Sequence, residues 1–228
     1  MSGVVLTREA PRNDALRRIL STIIPVDEVP LTSTRVREVR QDIDALDAVT
    51  TLVVTSARGA SAAQLVVERF APRVIAVGSR TARHLRNLGI DNVEESDDEG
   101  AASVARMNVA GRVAIVGAAE TRPELPELLS AQGIAWCHIA AYETVPERLS
   151  EAQIEVIGDA DGIVIAAPSA WRVVAPFVNA GTLIMARGLT TAREVSREHD
   201  YLVVAAGDAA VVAEITSRLA TNGNLGRH

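Results

Sequence analysis

Short apolar runs, each closing on a cluster of Ser, Thr, Gly or Arg, recur along the chain with longer amphipathic or Ala-rich stretches between them. The runs are Val4–Thr7, Thr51–Val54, Val74–Val77, Val113–Val116, Trp136–Ile139, Gly162–Ala166, Leu183–Ala186 and Tyr201–Val204. They are continuous rather than alternating and rich in Val and Ile, the pattern of strands buried on both faces of a parallel sheet. The stretches between them predict helices. One starts at Pro11 with Asn13 or Asp14 and carries Leu16, Ile19 and Leu20 on one face; others are expected over Val39–Leu46, Ala60–Phe70, Arg80–Leu88 and Leu125–Leu129, from Ala170, from Thr191, and over Asp208–Leu219. Val26–Leu31 predicts a weaker strand whose Pro30 bars a central ladder position. The polar Thr32–Arg35 that follows predicts a linker, and Tyr142–Pro146 predicts a second extended segment.

The pattern repeats at an offset of about 110 residues, too long for a solenoid unit of ~20–50 residues. Val4-Val5-Leu6-Thr7-Arg8 corresponds to Val113-Ala114-Ile115-Val116-Gly117. Thr55-Ser56 corresponds to Pro168-Ser169, and Val77-Gly78-Ser79-Arg80-Thr81-Ala82 to Arg187-Gly188-Leu189-Thr190-Thr191-Ala192. A duplicated α/β domain follows. One domain is expected over residues 1–31 with 147–222 and the other over 36–140, joined by linkers at 32–35 and 141–146, with a tail at 223–228.

Composition narrows the chemistry. At 228 residues with 48% hydrophobic content the chain can bury two cores, and aromatics at 3% make them aliphatic. There is no lysine, so all 23 basic residues are arginine; Schiff-base chemistry, pyridoxal-phosphate attachment and a P-loop lysine are excluded. A formal net charge of −6 argues against a nucleic-acid footprint. No apolar stretch reaches membrane-spanning length and no basic-then-apolar leader opens the chain, so a cytoplasmic protein is expected. Cys137 is the single cysteine, expected to be a small buried residue beside Trp136. The acidic run Glu94–Glu99 reads as a solvated loop before a helix rather than a metal site, and no metal is expected. His84, His138 and His199 show no ligand spacing and read as structural or exposed.

Chemistry in parallel α/β sheets collects beyond the carboxyl ends of the strands, where helix N-termini offer free N–H groups. Ser56, Gly78-Ser79-Arg80-Thr81, Ser169 and Gly188-Leu189-Thr190-Thr191 all fall there. Helix capping alone would explain any one of them. Their recurrence in both halves points instead to two domains presenting donors to one anionic ligand.

Taken together, Val5-Leu6-Thr7-Arg8, Thr55-Ser56, Ala76–Ala82, Ala141-Tyr142-Glu143-Thr144-Val145-Pro146, Pro168-Ser169-Ala170 and Gly188–Ala192 resemble the uroporphyrinogen-III synthase family over nearly the whole chain. The resemblance implies two similar flavodoxin-like parallel-sheet α/β domains joined by two extended linkers, with a cleft between them. It implies closure of linear hydroxymethylbilane to uroporphyrinogen III with loss of water and inversion of the terminal pyrrole through a spiro intermediate, without metal or organic cofactor. It also implies hydroxymethylbilane synthase, the upstream enzyme, as a candidate partner. A monomer with mobile domains is expected.

For sites, the resemblance makes Tyr142 the catalytic candidate, aiding departure of the substrate hydroxyl, with packing of the domain crossing as its open alternative. Arg8, Ser56, Gly78, Ser79, Thr81, Ser169, Gly188, Thr190 and Thr191 are the candidate substrate-binding residues. Arg8, Arg58, Arg80 and Arg187 could each pair a carboxylate or simply be solvated; only Arg8 matches the family's opening. Departures from the family pattern are Val54 before Thr55-Ser56, Ala166-Ala167 for a Thr or Ser pair, Arg187 for an apolar residue, and Gly117-Ala118-Ala119 for a more basic turn. Two rivals remain. A non-catalytic tetrapyrrole-binding or regulatory protein would share the fold, and a nucleotide- or sugar-phosphate-binding enzyme would too, although no Gly-x-Gly-x-x-Gly follows the first strand.

Overall fold

The structure, a computed structural model, describes residues 3–97 and 100–220. In chain order the elements are β1 (Val4–Leu6), α1 (Asp14–Leu20), β2 (Val26–Glu28), β3 (Thr32–Val36), α2 (Arg40–Asp44), β4 (Thr51–Val54), α3 (Ala60–Phe70), β5 (Arg73–Ala76), α4 (Ser79–Asn87), β6 (Val93–Glu95) and α5 (Ala101–Ala105). There follow β7 (Val113–Ala118), α6 (Glu124–Ala131), β8 (Trp136–Pro146), α7 (Glu151–Gly158), β9 (Gly162–Ile165), α8 (Pro168–Val174), β10 (Leu183–Ala186), α9 (Leu189–Val195), β11 (Leu202–Val204) and α10 (Asp208–Ile215). The chain divides into two compact units, Met1–Ser33 with Val145–His228, and Thr34–Thr144.

The first unit holds a sheet of order β11-β10-β9-β1-β2, with each of these neighbouring pairs parallel. The second holds β3-β8-β7-β4-β5-β6, parallel from β8 to β6. Leaving β3 aside, the two orders coincide if β7 and β8 stand for β1 and β2, and β4, β5 and β6 for β9, β10 and β11. The units are thus circular permutations of one flavodoxin-like order, whose direction reverses between β1 and β9 in one and between β7 and β4 in the other.

Each sheet is buried on both faces, and successive residues along a strand feed opposite cores. In the first unit Val5, Ile163 and Ile184 face the Trp171 side, whereas Val4, Leu6, Val164, Leu183 and Met185 face Leu16, Leu20, Val211 and Ile215. In the second, Leu52, Val54, Val74, Ala114 and Val116 share a core with Tyr142, while Val53, Ile75, Val113 and Ile115 pack on Leu125 and Leu129. This explains the continuous apolar runs: alternation has nothing to distinguish when both faces are covered.

Several expectations are corrected. The expected linkers at 32–35 and 141–146 hold the two unit boundaries, Ser33/Thr34 and Thr144/Val145, but the first is itself a strand; Arg37 N–H donates to the Ala141 carbonyl and Glu147 N–H to that of Leu31, so β3 runs against β8. The second is the end of β8, which continues unbroken from Trp136 to Pro146, with a register shift opposite Gly117 and Ala118. Ile19 is 47% exposed; Leu16 and Leu20, four apart, form the buried stripe of a short helix and leave Ile19 to one side. Within the acidic run, Glu94 and Glu95 belong to β6, an edge strand where Arg73 clasps Glu94 at 2.6 and 2.7 Å; Asp98 and Glu99 lie outside the described residues. The unforeseen α7 opens on a capping box, Ser150 Oγ accepting from Gln153 N–H at 3.3 Å while Gln153 Oε1 accepts from Ser150 N–H at 2.9 Å. The last helix stops at Ile215 and passes into a π turn, Thr216–Ala220. Cys137 is only half-buried, packed against the edge of the second unit's core, and Trp136 is 38% exposed. The tail at 223–228 lies outside the described residues.

Candidate functional site

The candidate residues divide between the carboxyl edges of the two sheets. Ser56, Gly78, Ser79, Thr81 and Tyr142 belong to the second unit, and Arg8, Ser169, Gly188, Thr190 and Thr191 to the first.

In the second unit, β4 runs out into Thr55 and Ser56. Thr55 Oγ1 donates to the Val116 carbonyl at 3.1 Å, bracing the point where strand order reverses. That brace requires the neighbouring glycine, since a Cβ on Gly117 would stand 2.5 Å from Thr55 Oγ1. Ser56 is a true cap, its Oγ accepting from Arg58 N–H at 3.3 Å. The guanidinium of Arg58 in turn lies over the Tyr142 ring, 5.5 Å from its centroid. Tyr142 is only 7% exposed and its ring packs with the β4–β7 core.

Gly78 precedes α4 with φ +80 and ψ 155, a conformation essentially confined to glycine. Its carbonyl accepts from Thr81 N–H at 3.1 Å and Ala82 N–H at 3.2 Å. The N–H groups of Ser79 and Arg80 fall in the first helical turn, where no intrahelical acceptor exists. Ser79 is exposed, whereas Thr81 is buried in that turn.

The first unit repeats these devices. Thr7 Oγ1 donates to the Val164 carbonyl at 2.6 Å, across the corresponding reversal of strand order. Pro168 occupies the first turn of α8, and Ser169 beside it is half-buried. Gly188 precedes α9 as Gly78 precedes α4, but with φ −178 its backbone is ordinarily extended. Thr191, like Thr81, is buried, while Leu189 and Thr190 are exposed.

Arg8 is half-buried just beyond β1. Its Nε donates to Asn13 Oδ1 at 3.4 Å and its Nη2 to the Arg12 carbonyl, and Asn13 Nδ2 returns a bond to the Arg8 carbonyl at 2.6 Å. Burial, then the nearby Arg187 guanidinium and that of Arg12, push the Arg8 pKa down, with Asp208 opposing. Arg187 is paired to Asp208 at 2.6 Å and its side chain is only 16% exposed. That pair was not legible as a unit from the sequence, nor were the two threonine braces. The position of each threonine at the end of an apolar run was the available signal for the braces.

The histidines serve elsewhere. His84 is exposed, and the buried His199 sets Nε2 2.8 Å from the Thr182 carbonyl. His138 has its pKa lowered chiefly by burial, and its Nε2 has no partner. Among the described residues no group of His, Cys, Asp or Glu could hold a metal ion, and no helix is long and apolar enough to cross a membrane.

In each unit hydroxyls and first-turn N–H groups stand at the carboxyl edge of the parallel strands, the place where doubly wound α/β proteins as a class bind their ligands. The family can then be stated: a family model described as uroporphyrinogen-III synthase HemD matches residues 21–221, and the chain belongs to the uroporphyrinogen-III synthase family. The fold agrees. The uroporphyrinogen-III synthetase of Helicobacter pylori superposes with a TM-score of 0.67 at 15% identity, over 96% of this chain and 100% of that one. A mutant uroporphyrinogen III synthase of the extremely thermophilic bacterium Thermus thermophilus superposes with a TM-score of 0.61 at 16% identity, over 96% and 99%. No curated protein sequence matches the chain.

Proposed function

We propose that the protein closes hydroxymethylbilane to uroporphyrinogen III, releasing one water and inverting the terminal pyrrole. The match of the family model across residues 21–221 carries this reading. The reaction begins as the hydroxyl leaves and the electron-rich pyrrole stabilises an azafulvene cation. Closure through a spiro intermediate then inverts the last ring, where unguided closure would give the type I isomer. Such chemistry asks for positioning more than for acid–base groups, and holding a flexible chain near its attack geometry can supply several kcal/mol.

The handles are the substrate's carboxylates. Hydrogen bonds to charged groups contribute about 1.5–3 kcal/mol each, so a few donors suffice for a chain whose net charge is −6. The first-turn N–H groups after Gly78, the hydroxyls of Ser56, Thr81, Ser169, Thr190 and Thr191, the Gly188 turn and Arg8 are the donors in this account. The Tyr142 hydroxyl assists departure of the substrate hydroxyl by a hydrogen bond. The protein acts as a monomer in the cytoplasm and receives its unstable substrate from hydroxymethylbilane synthase.

Steady-state kinetics of Thr81→Ala and Thr191→Ala test the donor set. Each variant should keep its fold and lose roughly tenfold in kcat/KM, the low end for a bond to a carboxylate. Wild-type kinetics in both would remove these hydroxyls from the site.

A further inference from the structure

Parallel register fixes a row of residues across the first unit's sheet. Leu6 pairs with Val164, and Val164 with Met185. Just beyond the paired stretch, Arg8 follows the end of β1 by two residues and Arg187 follows β10 directly, with the end of β9 lying between them in the sheet. Their partners show that both point to the face covered by α1 and α10. Arg8 is held by Asn13 and the Arg12 carbonyl at the start of α1, and Arg187 by Asp208 in the first turn of α10.

The groups acting on Arg8 are two guanidiniums, Arg187 and Arg12, and one carboxylate, Asp208. Asp208 is already committed to Arg187, and among the described residues Arg8 has no carboxylate at ion-pair distance. In a chain of net charge −6, a half-buried guanidinium that has no carboxylate partner among the described residues, close enough to Arg187 for that second guanidinium to act on it, is a place for an external anion.

We propose that Arg8 and Arg187 together form a two-guanidinium receptor for one carboxylate arm of the tetrapyrrole, with Asp208 holding Arg187 in place and competing with that arm. This rests on the synthase reading and adds to it Arg187 as a specificity-determining residue and Asp208 as an internal competitor. Two donors fixed at the ends of strands on either side of β9 would select a carboxylate over a neutral side chain and fix the orientation of the ring that bears it.

The test measures binding of uroporphyrin III, a stable octacarboxylate, together with KM and kcat for hydroxymethylbilane. Arg187→Leu should weaken binding roughly 10- to 100-fold and raise KM with little change in kcat. Asp208→Asn should move the other way, tightening binding a few-fold. Arg8→Leu in the Arg187→Leu background should cost much less than Arg8→Leu alone, since both serve one carboxylate. Thermal midpoints check folding, and Arg187→Lys, which keeps the charge, should recover part of the affinity. Wild-type affinity in folded Arg187→Leu, weakening in Asp208→Asn equal to that in Arg187→Leu, or no binding by the wild type would each overturn the receptor. A wild type that binds uroporphyrin III through Arg187 yet forms no type III product would retain the receptor and remove the synthase reading.

Discussion

The two motif glycines, Gly78 and Gly188, occupy equivalent places in the repeat but not equivalent backbones. Gly78 has φ +80 and ψ 155, whereas Gly188 has φ −178 and ψ 163, an extended conformation open to any residue. An alanine at Gly78 must either adopt a conformation costing about 1–3 kcal/mol or shift the start of α4. A Cβ at Gly188 meets nothing within 4 Å, so the same change there should cost under about 0.5 kcal/mol. Equilibrium urea unfolding of Gly78→Ala and Gly188→Ala measures the difference. Because two units need not unfold together, the transition of the second unit should be followed by a local probe as well as by the global signal. A lowered midpoint at unchanged slope is expected for Gly78→Ala and a wild-type curve for Gly188→Ala. Equal midpoints for the two variants, whether both wild-type or both lowered, would refute the reasoning from backbone conformation. A kinetic readout sharpens it, since a displaced first turn of α4 also moves the Ser79 and Arg80 N–H groups and should raise KM in Gly78→Ala.

Two further expectations concern single side chains. Burial lowers the His138 pKa in the folded protein, so the unfolded chain takes up the proton first; the stability present above pH ~6.5 is lost as pH falls through the interval below it. His138→Gln should flatten the fall in thermal midpoint between pH 7 and pH 5, and an unchanged slope would assign it to other groups. Tyr142→Phe keeps the buried ring beside Arg58 and should leave stability near wild type while lowering kcat roughly 3- to 10-fold, the worth of one hydrogen bond; an unchanged kcat in a folded variant would leave Tyr142 only its packing role.

What the sequence made legible was whatever the duplication wrote twice. Strands such as Val4–Leu6 and Val113–Val116, and the turns at Gly78 and Gly188, could be located because each has a counterpart. Elements resting on polar residues were harder to see. β6 hides in Val93-Glu94-Glu95 because an edge strand need bury only one side chain, and Arg73 on the neighbouring strand neutralises Glu94. The β3 strand reads as a polar linker because its residues are at best half-buried. α7 carries a capping pair, Ser150 and Gln153, but only weak apolar periodicity behind it. The nearness of Arg8 and Arg187 depends on strand register and sheet order together, and neither follows from residue types alone. Depth was equally hidden: nothing in the residue types shows that the helical turn buries Thr81 and Thr191 while leaving Ser79 and Thr190 exposed.

The central claim is that the protein directs closure to the inverted isomer. The most direct measurement is to incubate it with freshly generated hydroxymethylbilane, oxidise the product, and separate type I from type III uroporphyrin by chromatography. Predominantly type III is expected, formed faster than in the protein-free control. Type I at the control rate, from folded protein, would contradict the claim and leave a tetrapyrrole-binding protein of the same fold.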